Sequence, residues 1–237
     1  MVLYIIAAVL FVVGVILFFV GRHKSGLMTD ISDTQTSTVA DLIQGSRAEL
    51  KGFASSNTPL RDPAQNTPVV YYSYKVEERR RDRNSSGNTT TSWRTVDSGE
   101  SSQPFYLTDE SGSILVDPTG AKVDAPRLCQ MPLDTNSGMG EGMMKTILGG
   151  LSALTGEARR ITVHAIAEES SIYVLGQVIP SGEQLRLGKG DGKFFISTKS
   201  EKELLGSLGW QSKACYAAGG LLAIGGIALA IYKAGKG

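Results

Sequence analysis

Two cysteines and two histidines are the whole stock of soft metal ligands in this 237-residue chain. A zinc site built from Cys and His needs three or four of them converging, with spacings such as paired C-x-x-C. His23, Cys129, His164 and Cys215 stand far apart in sequence, so neither a zinc site nor a disulfide framework is expected, and no cofactor is expected either. Charge of one sign is missing as well: Lys and Arg number 24 against 23 Asp and Glu, net +1. Without a long-range field there is no electrostatic footprint for nucleic acid, which is excluded as a partner. The Gly-rich run Gly188-Lys189-Gly190-Asp191-Gly192-Lys193 is followed by Phe194, so it fails the phosphate-cradling G-x-x-x-x-G-K-[ST] pattern and reads as a hairpin loop.

Charged side chains are absent altogether from Val2 to Val20 and from Ala214 to Tyr232. A helix of about 20 mostly apolar residues crosses the hydrocarbon of a bilayer, so membrane lipid is the first partner expected and the protein reads as an integral, two-pass membrane protein. The first run is dominated by Leu, Ile, Phe and Val, each favouring insertion by about 0.3 to 0.6 kcal/mol. A cleaved signal peptide would carry a basic flank before its apolar core, whereas here Arg22, His23 and Lys24 follow it. The second run mixes Leu221, Ile224 and Ile227 with Gly219, Gly220, Gly225 and Gly226. Small residues let helix backbones approach, and Gly226 and Ala230 have the four-residue spacing of a contact face. Gly14, Gly219, Gly226 and Ala230 are therefore the helix-packing candidates, joining the two spans or two copies of the chain as a homo-oligomer. The expected organisation is a transmembrane helix at 2–20, a linker at 21–35, a soluble domain at 36–209, a second transmembrane helix at 210–232 and a tail at 233–237. Arg22, Lys24, Lys202 and Lys213 beside the spans favour a cytoplasmic domain, against Lys233 and Lys236 on the tail.

Between the spans the period is mostly two. Ala48, Leu50 and Ala54 alternate against Arg47, Glu49 and Lys51, which half-buries a strand with the charged set outward. Val70, Tyr72, Tyr74 and Val76 repeat this within 69–78, with β-branched and aromatic residues suited to a pleated surface. Asn84 to Asn88 reads as a turn and 89–96 as the returning arm of a hairpin. Further strands are expected at 105–108, 114–116, 160–167, 172–179, 184–187 and 193–197, the second following the turn Asp109-Glu110-Ser111-Gly112. The fold class is α+β, a predominantly β, membrane-proximal domain flanked by two transmembrane α-helices.

Two helices are expected inside this domain. Ser200 and Glu203 have the spacing of a capping box, opening a short helix that stops at Gly209. Met143, Met144, Ile147, Leu148, Leu151 and Leu154 fall at three- and four-residue intervals and form an amphipathic stripe, which covers the sheet or presents an adaptable contact surface to a partner or to the bilayer.

Chemistry is sparse. His164 sits in a strand as an ordinary hydrogen-bonded histidine. The acids Asp109, Glu168 and Glu169 are the residues from which a hydrolase or transferase would have to be built. Glu168 and Glu169 would point to opposite faces of a strand, though a loop would let them pair. The basic run Arg79, Arg80, Arg81 and Arg83, interleaved with Glu77, Glu78 and Asp82, reads as a solvated strand end or as a contact for acidic lipid headgroups.

The order of certain segments resembles a known family. Gly45-Ser46-Arg47-Ala48-Glu49-Leu50-Lys51-Gly52, Pro59-Leu60, Pro68 to Glu78, Trp93, Phe105 to Asp109, Ile114 to Pro118, Gly120-Ala121, Tyr173 to Gly176 and Phe195 to Leu205 are similar to the GIDE domain. That domain lies between two transmembrane helices in a mitochondrial E3 ubiquitin ligase and in many prokaryotic membrane proteins. In the ligase, transfer depends on a zinc-binding RING at the C-terminal end, whereas here that end reads Ile231 to Gly237, so no catalytic or metal residue carries over. The resemblance implies a membrane-anchored, non-catalytic interaction or scaffold protein whose partner is another membrane protein or a peptide. The alternatives are a component of E3-type ubiquitin transfer and an unrecognised membrane-bound hydrolase or transferase.

Overall fold

The computed structural model describes residues 2–34, 36–83, 87, 89–133, 158–182 and 184–235. The Met-bearing stripe from Met143 to Leu154 lies outside the described residues. The chain forms two compact units, Met1–Gln35 with Ser200–Gly237 and Thr36–Lys199.

The first unit is a pair of helices, α1 (Val2–Asp33) and α2 (Glu201–Ala234). Both are long and apolar enough to cross a membrane. Residues 21–35, read as a linker, are helical through Asp33. The charges at Arg22 and Lys24 end the apolar run without ending the helix, because a helix stops for backbone reasons. The capping box is present, with the Ser200 amide donating to Glu203 Oε2 at 2.9 Å and the Glu203 amide to Ser200 Oγ at 3.4 Å. The helix it opens does not stop at Gly209. A C-terminal cap needs a left-handed glycine, Gly209 is not among the residues with positive φ, and a mid-helix glycine costs only about 1 kcal/mol.

Helices α1 and α2 touch where side chains are smallest. A Cβ on Gly14 would lie 2.7 Å from the Gly219 carbonyl oxygen, one on Gly219 would lie 2.8 Å from that of Gly14, and one on Gly226 would lie 2.8 Å from that of Ala7. Gly220 and Gly225 meet nothing. The contact row on α2 is thus Gly219, Ala223 and Gly226, with Ala230 next in the same alternation of four and three.

The second unit is built on strands. In chain order these are β1 (Arg47–Ser55), β2 (Leu60–Arg61), β3 (Pro68–Val69), β4 (Tyr71–Arg83), β5 (Thr89–Glu100), β6 (Phe105–Asp109), β7 (Gly112–Val116), β8 (Lys122–Asp124), β9 (Arg127–Pro132), β10 (Arg159–Ile166), β11 (Ser171–Ser181), β12 (Gln184–Gly188) and β13 (Phe195–Ser197). The order β1-β6-β7-β12-β11 closes on itself because β11 also pairs with β1. All pairs in this ring are antiparallel except β7 with β12. The result is a five-stranded Greek-key barrel, the architecture that OB-folds use, and closure leaves the ring without edges.

Alternation fills the barrel. Leu50, Phe105, Leu107, Ile114, Val116, Ile172, Val174 and Leu187 are buried and belong to one core cluster. Each such side chain contributes about 1.5 to 3 kcal/mol by leaving water. The strand expected at 193–197 is shorter than its pattern, and the Gly-rich run before it is no hairpin loop. β12 and β13 both pair antiparallel with β11, at Gln177–Ser181 and Tyr173–Leu175, on the edge that β1 does not use. They form one strand interrupted by an excursion at 189–194. Gln177 holds that excursion, accepting from the Asp191 amide at 2.9 Å and donating to the Gly45 carbonyl at 3.0 Å.

A separate four-stranded sheet runs β5-β4-β10-β9. Val76, Ile161 and Val163 are buried on its apolar side with Ala64 and Leu133, and Tyr72 and Tyr74 pack against them. Val70, read as sharing a face with Tyr72, belongs to the barrel core instead, because the strand begins only at Tyr71. The Asp62 carboxylate accepts from the amides of Ala64, Gln65 and Thr67, which fixes the turn between β2 and β3.

Candidate functional site

The barrel opens outward where β1 changes partner. Arg47 to Phe53 pair with β11, and Phe53 to Ser55 pair with β6. Gly52 stands at this switch, where a Cβ would run into the Thr108 carbonyl oxygen and Leu107 Cδ2, so only glycine lets the strand pass. Because β6 ends at Asp109, the outer surface of β1 is left open at Lys51–Phe53. A cleft of about 720 Å³ lies there, walled by Thr36 to Thr38, Thr108 to Ser111 and Ser171. Its volume falls within the usual range for ligand pockets. Phe53 is 59% exposed, an aromatic ring presented from rigid backbone.

The segment that forms one wall is pinned at both ends. At the first end, Thr36 bridges Glu49 in parallel register and the Ser37 amide donates to the Glu49 carbonyl at 2.8 Å. The Thr36 hydroxyl donates to Glu49 Oε1 at 2.7 Å, the Tyr173 hydroxyl donates to Oε2 at 2.8 Å, and Lys51 Nζ lies 3.3 Å from Oε1. Glu49 is fully buried, which corrects the reading that set it outward with Arg47 and Lys51. Strand alternation assigns the side of the sheet, not whether that side meets water. A buried carboxylate is tolerable only with its lone pairs taken, and here a hydroxyl, a phenol and an ammonium take them.

At the second end, the Val39 amide donates to Asp109 Oδ2 at 2.8 Å and the Ala40 amide to Ser111 Oγ at 3.0 Å. Asp109 Oδ1 also accepts from the Ser111 amide and hydroxyl, both at 2.7 Å, and from the Gly112 amide at 3.0 Å. Burial raises its pKa, but the Ser111 hydroxyl and the amides of Val39, Ser111 and Gly112 outweigh that, and the carboxyl is held below its ordinary value. Such a carboxylate is a poor proton acceptor and a good turn-former. Asp109, a candidate acid in the sequence, is thus committed to shaping the cleft wall. Glu168 and Glu169 lie in the tight turn between β10 and β11, where Glu169 has φ 59° and its amide donates to the Ala54 carbonyl at 2.8 Å.

The other sequence candidates are dispersed. His164 is exposed on β10, and Cys129, opposite Val163, is half-buried with its thiol pKa pushed up by burial. Among the described residues no group of three or more His, Cys, Asp or Glu could hold a metal ion. What the cleft offers is a ring, an ammonium and a row of hydroxyls. Of the charged residues lining it, Lys51 and Asp109 are engaged in holding the walls, while Glu110 is exposed. Neither Phe53 nor Gly52 stood out in the sequence as a site residue, although Phe53 shares the parity of Lys51 on β1.

The described residues thus define a β-barrel protein whose chain also carries two helices long and apolar enough to cross a membrane. The model of the GIDE family, described as E3 ubiquitin ligase, matches residues 74–230, and the chain belongs to that family. No curated protein and no solved structure matches the chain.

Proposed function

We propose that this protein is a membrane-anchored, non-catalytic interaction module, in which the barrel cleft receives a segment of another membrane protein or a peptide. The observation that carries this reading is the state of the cleft's polar groups. Asp109 is saturated by four donors and Lys51 is held between Glu49 and Thr36, while the Phe53 ring is left for contact. Exposed aromatic rings on rigid backbone are the usual anchors of protein contacts. Proton transfer would instead need a carboxylate or imidazole poised near neutrality. Two spans hold the barrel at the bilayer, and the basic flank at Arg22, Lys24, Lys202 and Lys213 favours the cytoplasmic side.

A photo-crosslinking amino acid at position 53 tests this in native membranes. A discrete adduct is expected at position 53 and none at exposed position 127 on β9. No adduct at 53, or the same adduct at both positions, contradicts the reading.

The family description favours a second reading, in which the module presents a substrate to a separate ubiquitin ligase. It expects ubiquitin-like conjugates whose formation requires this chain. Unchanged conjugates in cells deleted for it would remove that reading.

A further inference from the structure

Phe53 stands at the centre of a short ladder of side chains on the outer face of the barrel. It lies directly opposite Ser171 on β11 and Thr108 on β6, and Thr108 in turn lies opposite Ser113 on β7. Residues opposite one another across strands share a face, so a hydroxyl flanks the ring on each side. Thr108 Oγ1 and Ser113 Oγ are joined at 2.8 Å. Lys51, two residues back on β1, shares this face and is neutralised by Glu49 at 3.3 Å. Glu110, in the tight turn between β6 and β7, also lines the cleft. That turn is fixed by Asp109 Oδ1, which accepts from the Ser111 amide and hydroxyl and from the Gly112 amide. The Glu110 side chain is exposed and, among the described residues, makes no ion pair or hydrogen bond. The charges lining the cleft are thus an ammonium already matched by Glu49 and two carboxylates, Asp109 and Glu110.

We propose that the cleft selects a docked peptide segment that presents a lysine or arginine, whose stem lies across the Phe53 ring and whose charged head pairs with Glu110. This rests on the reading of the cleft as a docking site and adds the chemistry of its occupant. The occupant follows from charge complementarity. The negative balance of the lining works against an acidic segment, because like charges brought together across an interface cost more than in open water. An apolar side chain would cover the ring but leave the Glu110 carboxylate shielded from water without a partner, which is costly. A cation satisfies both groups. An ammonium or guanidinium over an aromatic face is attracted by the ring quadrupole, and its methylene stem packs on apolar surface. The hydroxyls of Ser171 and Thr108 can each donate or accept, which suits the polar backbone on either side of the basic residue.

The test pans a random library of short peptides displayed on phage against the full chain in maltoside micelles, which carry neither charge nor choline. Binders that the F53A chain fails to retain are kept and sequenced. Lysine and arginine are expected to be enriched among them, and aspartate and glutamate depleted. A synthetic peptide of an enriched sequence should bind F53A about tenfold more weakly and E110Q about threefold more weakly. Salt at about 0.5 M should erase the difference between E110Q and the parent chain by shortening the screening length. Phe53-dependent binders that are neutral or acidic, or that bind E110Q as tightly as the parent, overturn the charge assignment while leaving the cleft a docking site. The absence of any Phe53-dependent binder overturns docking at the cleft itself. Tighter binding of phosphocholine than of the basic peptides overturns the peptide assignment in favour of a lipid headgroup.

Discussion

The helical unit and the barrel are packed inside out with respect to each other. The barrel turns its large apolar side chains inward, with Leu50, Leu107 and Val174 fully buried. The helices turn theirs outward, with Leu221 73% and Ile224 67% exposed, and meet through Gly14, Gly219 and Gly226. In water, cohesion comes from removing apolar area from solvent. Between helices in lipid that gain is absent, and close backbone approach between small residues takes its place. Each unit therefore coheres through a different kind of contact, and each should fail by a different kind of substitution.

The largest expected effect is in the barrel. Leu107→Ala leaves a cavity and should cost about 2 to 5 kcal/mol in chemical denaturation followed on the β unit. The helix contact should be unaffected, and a convenient reporter exists for it. A Cβ on Gly21 would lie 3.3 Å from Cys215 Cβ, close to disulfide geometry, so Gly21→Cys should crosslink with Cys215 on oxidation. If Leu107→Ala abolished that crosslink, the two units would not be independent. The converse change is Gly14→Leu, which should abolish the crosslink through overpacking of about 1 to 3 kcal/mol while leaving barrel denaturation unchanged.

Within the barrel, polar anchors should matter less than apolar ones. Tyr173→Phe removes one donor from Glu49 and should cost about 1 to 2 kcal/mol in the same denaturation. The smallest effect belongs to Asp109. Its pKa is lowered in the folded chain, so its contribution is complete above the unfolded value near 4 and is lost as pH falls through the folded value. Asp109→Asn should therefore cost about 1 kcal/mol near neutral pH and almost nothing at strongly acid pH. A constant difference across that range would show that Asp109 does not shape the wall through its charge.

The sequence made the strands legible because alternation and turn chemistry are local. The hairpin at Tyr71–Glu100, the Asp109–Gly112 turn and the strands through Ile166 and Ile179 all follow from period two and from glycine or asparagine at the bends. Closure into a barrel was not legible, because the β1–β11 and β7–β12 pairings join segments far apart in the chain and only tertiary contact chooses among such pairings. The interruption between β12 and β13 looked like a hairpin since both have a glycine-rich loop between short strands. Glu49 was misplaced because its partners, Thr36 and Tyr173, come from elsewhere in sequence. The helix pair was half legible: the small residues marked a contact row, but length past Val20 and past Gly209 depends on backbone continuity that hydropathy does not report. Gly52 and Phe53 sat in plain view without a signal for the cleft, which exists only because β6 stops at Asp109.

The most direct test of a docking role is whether the full chain in lipid nanodiscs speeds discharge of ubiquitin from a charged conjugating enzyme. The account predicts a discharge rate equal to that of empty nanodiscs. A rate raised by the purified chain alone, with no other ligase added, would contradict it.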